Sequence, residues 1–343
     1  MRGCHLAGLA ILALVRQPAF GQSVADFYKS HPITMLVGSG AGGGYDVYAR
    51  TFGRHWSQHI PGHPDIVPKN MPAAAGLAAA STLYNNADRD GSVIGAFTNG
   101  TTMEPLFGDP GAHYDPLRFE WLGSIGKLEN VCVTWHTSPV KTIVQALARQ
   151  VMVAAAGATS NTAMVPRMLN ALTGTKFKVI AGYDPGVGLT MAVESGEAEG
   201  VCGLSWSTIK ASRPRWVNDH LLNVLVQLGQ GKLRDVPDAP SALDLVKDPE
   251  DKKVMELILM RQEPGRPFAA PPGTPADRVA ALRQAFRETL SDSGFVAEAK
   301  KMQLELDPMT GNEIERMLTK AYAAPKSTVQ RAAALVEVTA TAK

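Results

Sequence analysis

The stretch that decides the fold is residues 33–56, ITMLVGSGAGGGYDVYARTFGRHW. Residues 33–37 are a short apolar run with several β-branched side chains, the pattern of a buried strand. Residues 38–44 then hold five glycines in seven positions. Beyond them Val47, Tyr48, Thr51, Phe52 and His55 recur at helical spacing, so the chain leaves the glycines as an amphipathic helix. Strand, glycine turn and helix form half of a βαβ unit. A helix N-terminus carries unpaired N–H groups and about half a positive charge. Glycines let an anion approach those groups closely. The corner therefore reads as a carboxylate site. Asp46 can cap the helix, although its charge repels an anion that comes too near.

Two other readings stay open. Gly38-x-Gly40-x-x-Gly43 matches the dinucleotide fingerprint, which expects an acid at the end of the next strand, about 20 residues on. In that region, PGHPDIVPKN, Asp65 precedes Ile66 and Val67 instead of following them, and three prolines crowd the segment. No GK[ST] follows, which excludes a P-loop. The blander alternative is a glycine turn that only closes a βαβ corner.

At 343 residues the chain exceeds what one hydrophobic core usually supports, so two lobes are expected. Its 45% hydrophobic share suits a globular protein. Residues 1–21 read as a signal peptide: Arg2, an apolar core over 6–15, and small residues near Gly21 for cleavage. That apolar core is too short for a permanent membrane anchor. Without Arg2 and Arg16, 32 basic residues face 32 acidic ones, and a neutral chain argues against nucleic acid as partner. Cys4 leaves with the leader. Cys132 and Cys202 remain; they can pair in an oxidising compartment, but two free buried thiols are the simpler expectation.

The stretch SGAGGGYDVYAR, residues 39–50, resembles the small-AGGG-[ST]-D-x-x-AR signature of the substrate-binding proteins of tripartite tricarboxylate transporters, the periplasmic receptors also called Bug or TctC proteins. Tyr45 stands where Thr or Ser is usual. Further segments resemble the family in order and spacing. They include Asn70-Met71-Pro72 with Gly76, AAASTLYN, Gly196 to Gly200, Arg234-Asp235-Val236-Pro237, and the proline-rich run from Gly265 to Pro275. Together they span nearly the whole mature chain. The resemblance implies an α/β fold of the type II periplasmic-binding-protein class, a Venus flytrap of two α/β lobes joined by two crossovers. Residues 22–130 and 232–343 would form lobe 1, and 131–231 lobe 2.

In that family the glycine turn faces the ligand cleft, which places Ala41, Gly42, Gly43, Gly44, Tyr45 and Asp46 at the ligand. A third strand over 93–98 leads to Thr98 and Asn99, at the strand end where open α/β sheets bind ligands. A second strand, small-polar turn and helix unit runs through 151–172. Its Gly157, Thr159, Ser160, Asn161 and Thr162 can receive the other end of a carboxylate, or simply cap a helix. Tyr183 follows a further strand, and Ser205 with Trp206 ends another. The Trp206 indole serves equally as a cleft wall or as core. These loops hold no arginine, so recognition by N–H groups, hydroxyls and water is expected rather than a bidentate clamp.

Other chemistry finds little support. His55, His59 and His63 follow helical spacing, but Pro61 stops the helix and no paired cysteines or HExxH accompany them. Gly203-Leu204-Ser205-Trp206-Ser207 lacks the last glycine of a nucleophile elbow. The resemblance implies a receptor and not an enzyme, and no catalytic residue, metal or cofactor is expected. A monomer in the periplasm would take a di- or tricarboxylate, an acidic amino acid or an aromatic acid, and deliver it to a membrane permease. An exported enzyme or dinucleotide oxidoreductase is the alternative.

Overall fold

The computed structural model describes residues 22–336 apart from residues 158, 159, 185, 186, 230, 232 and 234. The signal-peptide reading and Thr159 lie outside the described residues. The first strand is Ile33–Val37 (β1), with Ile33, Met35 and Val37 fully buried. It pairs in parallel with Ile66–Asn70 (β2) on one side and Val93–Ala96 (β3) on the other. Pro68 fits because β2 is an edge strand, where a missing N–H removes no ladder bond from a further neighbour. The chain next forms Glu120–Ser124 (β4) and Asn130–Trp135 (β5). These two strands belong to different sheets.

Sheet two also contains Val151–Ala155 (β6), Phe177–Ala181 (β7), Gly200–Ser205 (β8) and Leu222–Gln227 (β9). Their order is β7-β6-β8-β5-β9. The chain then returns to the first sheet with Pro267–Ala270 (β10) and Met309–Thr310 (β11), giving the order β11-β4-β10-β3-β1-β2. Both sheets are mixed: β10 runs antiparallel to β3, and β5 antiparallel to β8, beside parallel pairs. The protein is thus a two-lobed α/β fold, and the chain crosses between sheets once after β4 and once after β9.

The helix leaving the glycine turn spans Gly44–His59 and buries the face its periodicity marks. Phe52 lies 4.6 Å from Phe286 and 5.4 Å from both Phe268 and Phe295, ring centre to ring centre. Such packed aromatic pairs add stability beyond the area they bury. The histidines on its flank meet acids: His55 Nε2 lies 2.7 Å from Glu298, and His59 Nε2 lies 3.8 Å from Asp292. The next long helix, Ala276–Ser291, has Pro275 as its N-cap, and the Thr274 hydroxyl donates to the Pro271 carbonyl.

The expectation of two free thiols is corrected. Cys132 on β5 stands opposite Cys202 on β8, their Cα atoms are 3.9 Å apart, and their sulfurs are bonded. The bond closes a loop with a sequence separation of 70 residues, which restricts the unfolded chain. Replacing both cysteines by alanine is expected to lower unfolding stability by about 2–4 kcal/mol. The measurement is a denaturant titration with and without reductant. Reductant should bring the wild type down towards the variant and leave the variant unchanged.

Candidate ligand-binding cleft

A cavity of about 800 Å³ lies between the lobes. The first lobe lines it with Tyr45, with Ala74 and Ala75 from the turn after β2, and with Thr98, Asn99 and Gly100 beyond β3. From the second lobe come Ser160, Asn161 and Met164, on the first turn of the Asn161–Thr173 helix that follows β6. Both contributions therefore arise beyond the C-terminal ends of strands with a parallel neighbour, the usual ligand position in open α/β sheets. Leu77, Phe107, Pro110 and Val336 complete an apolar part of the wall.

Tyr45 and Asn99 form one unit. The Tyr45 hydroxyl donates to Asn99 Oδ1 at 3.0 Å, and the Asn99 backbone N–H donates to the Tyr45 oxygen at 3.3 Å. Tyrosine at this position therefore buttresses the β3 loop as well as lining the cavity. Burial pushes its hydroxyl pKa up, so it stays protonated and able to donate. In the second lobe Ser160 is the N-cap of its helix, but its side chain makes no cap hydrogen bond. The Ser160 hydroxyl donates instead to the Gly157 carbonyl at 2.7 Å, and it shares a 2.9 Å contact with the Thr162 hydroxyl. The Asn161 amide donates to the Gly203 carbonyl at 2.6 Å. The positive end of that helix thus meets the cavity beside polar groups already held in place.

The glycine corner itself has another task. Residues 41–44 are exposed and do not line the cavity; only Tyr45, next in sequence, does. Asp46 is corrected as a ligand contact. Its side chain is buried and accepts from the Gly42 N–H at 2.8 Å, from Arg50 Nε at 2.8 Å and from Asn70 Nδ2 at 2.7 Å. Nor does Asp46 cap the helix, whose N-cap is Gly43. Burial works to raise the Asp46 pKa, but the bonds from Arg50, Asn70 and Gly42 outweigh it, and the carboxyl lies below its ordinary range.

The turn over Ala73–Gly76 is built by close backbone contact. Gly76 has φ +94°, and a Cβ there would come 2.2 Å from the Gly38 carbonyl oxygen. Ala74 and Ala75 hold φ of 52° and 54°, left-handed values that cost non-glycine residues on the order of 1 kcal/mol or more each. Both line the cavity, and the Thr98 hydroxyl donates to the Ala75 carbonyl at 3.2 Å.

Sequence reading missed the charged groups. Arg261 ends the Pro249–Met260 helix and reaches the cavity, so an arginine is present after all. It donates to Glu104 Oε1 at 3.2 Å, and the two side chains are only 13% and 15% exposed. Burial raises the Glu104 pKa, Arg261 opposes this and Asp109 adds to it, for a net rise. Asp109 also lines the cavity. Glu104 and Asp109 closely follow the polar loop at 98–101 and could have been sought there. Arg261 lies 157 residues from its partner and carries no local signal.

Five expected residues fall elsewhere. Gly157 and Thr162 stand behind Ser160 and are not in the cavity lining. Tyr183 packs against the small apolar cluster of Ala154, Leu189, Ala192 and Ala198. Trp206 is core: it is 3% exposed, and its indole N–H donates to Asp235 at 3.1 Å. The neighbouring Ser205 is also buried, with its hydroxyl 2.6 Å from that of Ser207.

No family model matches the sequence, and no curated protein does. Solved structures match in fold. A TctC solute-binding protein from Polaromonas, solved without ligand, has a TM-score of 0.69 at 17% identity, over 90% of this chain and 99% of that one. The R. palustris protein Rpa4515 with adipate gives 0.64 at 17%, over 89% and 98%. MatC from Rhodopseudomonas palustris with bound malate gives 0.60 at 19%, over 89% and 99%. The chain has the two-lobed α/β fold of these solute-binding proteins.

The Asp46 network yields a signed expectation. A carboxyl with a folded-state pKa below its unfolded value stabilises fully above the unfolded pKa, about 4, and ceases to as pH falls through the folded one. Asp46→Asn is expected to lose about 2 kcal/mol at neutral pH, since it leaves Arg50 without its buried partner. Denaturation curves between pH 7 and pH 2 check this: the gap to wild type should persist down to about pH 4 and then shrink.

Proposed function

We propose that the chain is a solute-binding receptor of the Bug or TctC type, which captures a small carboxylate in the inter-lobe cleft. The observation that carries this reading is the shared cavity, lined by Tyr45, Thr98 and Asn99 from one lobe and by Ser160 and Asn161 from the other. The fold likeness to proteins solved with adipate and with malate supports the ligand kind. Lobe 1 comprises residues 22–130 and 232–343, and lobe 2 residues 131–231; they close on the ligand by rotation about the two crossovers. The leader over 1–21 directs export, the receptor acts as a periplasmic monomer, and the loaded form hands its ligand to a membrane permease. Among the described residues no helix is long and apolar enough to cross a membrane.

The same cavity disfavours an enzyme. Its lining offers no serine, cysteine or histidine poised as a nucleophile with a base. Ser160 donates to the Gly157 carbonyl, accepts from the Gly157 N–H at 3.3 Å and contacts the Thr162 hydroxyl, with no base beside it. A dinucleotide site would place an acid at the end of β2 to hold a ribose. Asn70 stands there, and its amide and carbonyl are taken by Asp46, Ser39 and Arg50.

A thermal-shift screen tests the proposal with mono-, di- and tricarboxylates, acidic amino acids and aromatic acids, against NAD and FAD as rivals. A carboxylate at 100 times its dissociation constant is expected to stabilise the fold by about 2.7 kcal/mol. A shift with NAD or FAD alone overturns the reading. Asn99→Ala and Ser160→Ala should each weaken binding of the carboxylate roughly three- to tenfold, as loss of one hydrogen bond does, and leave the far-UV circular dichroism unchanged.

A further inference from the structure

We propose that the cleft selects a carboxylate bearing a cationic group at its other end, a zwitterion such as an ω-amino acid, over a dianion of the same length. This deepens the receptor reading and rests on it.

The lining holds one cation, Arg261, and two carboxylates, Glu104 and Asp109. Arg261 is already engaged: it donates to Glu104 across 3.2 Å, with both side chains largely buried. When all three are ionised, the wall carries one net negative charge. Among the described residues of the lining, the positive pole not already paired is the N-terminal end of the Asn161–Thr173 helix, worth about half a charge. That pole, with the Asn99 and Ser160 groups, accommodates one carboxylate. A second carboxylate on the ligand faces Glu104 and Asp109. It can share Arg261 with Glu104 only by crowding three carboxylates around one guanidinium in a largely buried wall, which is unfavourable. An ammonium in that place meets Glu104 and Asp109 with the opposite sign and leaves the Arg261 pair intact. The apolar side chains of Leu77, Phe107 and Met164 suit a methylene chain between the two charged ends.

The experiment is isothermal titration of the full mature chain with two matched series: pentanoate, glutarate and 5-aminopentanoate, then hexanoate, adipate and 6-aminohexanoate. In at least one series the amino acid is expected to bind at least tenfold more tightly than the diacid. Glu104→Gln frees Arg261 and removes one negative charge. It should weaken the amino acid at least tenfold and strengthen the diacid. Asp109→Asn leaves the Arg261–Glu104 pair in place and should act in the same direction, which guards against a Glu104 variant that fails to fold. A diacid that binds as tightly as the amino acid in both series, or variants that leave the ratio unchanged, overturns this inference and leaves the receptor reading standing. If no member of either series binds, both readings fail for linear carboxylates of this size.

Discussion

One buried carboxylate organises the first lobe. Asp46 binds the Gly42 N–H, the Arg50 guanidinium and the Asn70 amide together, so the glycine turn, the first turn of the following helix and the end of β2 form a single body. Arg50 closes the ring by donating to Asn70 Oδ1 at 2.7 Å. An internal anion thus sits where the helix terminus would otherwise attract an external one. The residue that lines the cavity is Tyr45, one position earlier, whose backbone the network holds. The same constraint holds the end of β2 in place, and the strained Ala74–Ala75 turn departs from there into the cleft.

The second lobe repeats the strand, turn and helix pattern but leaves the helix terminus differently engaged. No acid lies in the first turn of the Asn161–Thr173 helix. Its polar groups are hydroxyls and an amide tied to backbone carbonyls. One helix end is therefore neutralised from within, and the other presents its dipole to the cavity. This asymmetry gives the cleft a single anion-attracting pole.

Much of this was legible in the sequence, and the limits are physical. Glycines at 38–44 and apolar spacing beyond them are local signals, so the β1 corner and its helix could be read directly. The helix of the second unit begins at Asn161, inside the small polar run, and its start is not legible locally because such residues suit a turn as well as a first helical turn. Cys132 and Cys202 face each other only through the β5–β8 register, which nothing local specifies. Trp206 was balanced between wall and core; the Asp235 partner that settles it lies 29 residues away. Arg261 was invisible for the same reason. A helix end far along the chain becomes a cleft residue only after both crossovers have brought the lobes together.

That last placement bears on how the cleft can work. Gln262, next to Arg261, accepts from the Leu128 N–H at 2.9 Å through its carbonyl and from the Asn130 N–H at 3.2 Å through its side chain. Leu128 lies in the first crossover, and Asn130 begins β5. Gly265 packs so closely on the same crossover that a Cβ would come 2.7 Å from Gly126 O and Leu128 N. The segment after Met260 is thus bonded along the first crossover, and Arg261 sits beside that seam. A rotation of one lobe about the seam displaces groups near it least and groups far from it most. In the closure proposed above, the Arg261–Glu104 pair keeps its geometry while Ser160 and Asn161 travel relative to Tyr45 and Asn99. A fixed charge pattern near the axis with neutral donors converging on it is the arrangement in which closure senses the ligand through hydrogen bonds rather than through a moving buried charge, whose desolvation would oppose the motion at every step.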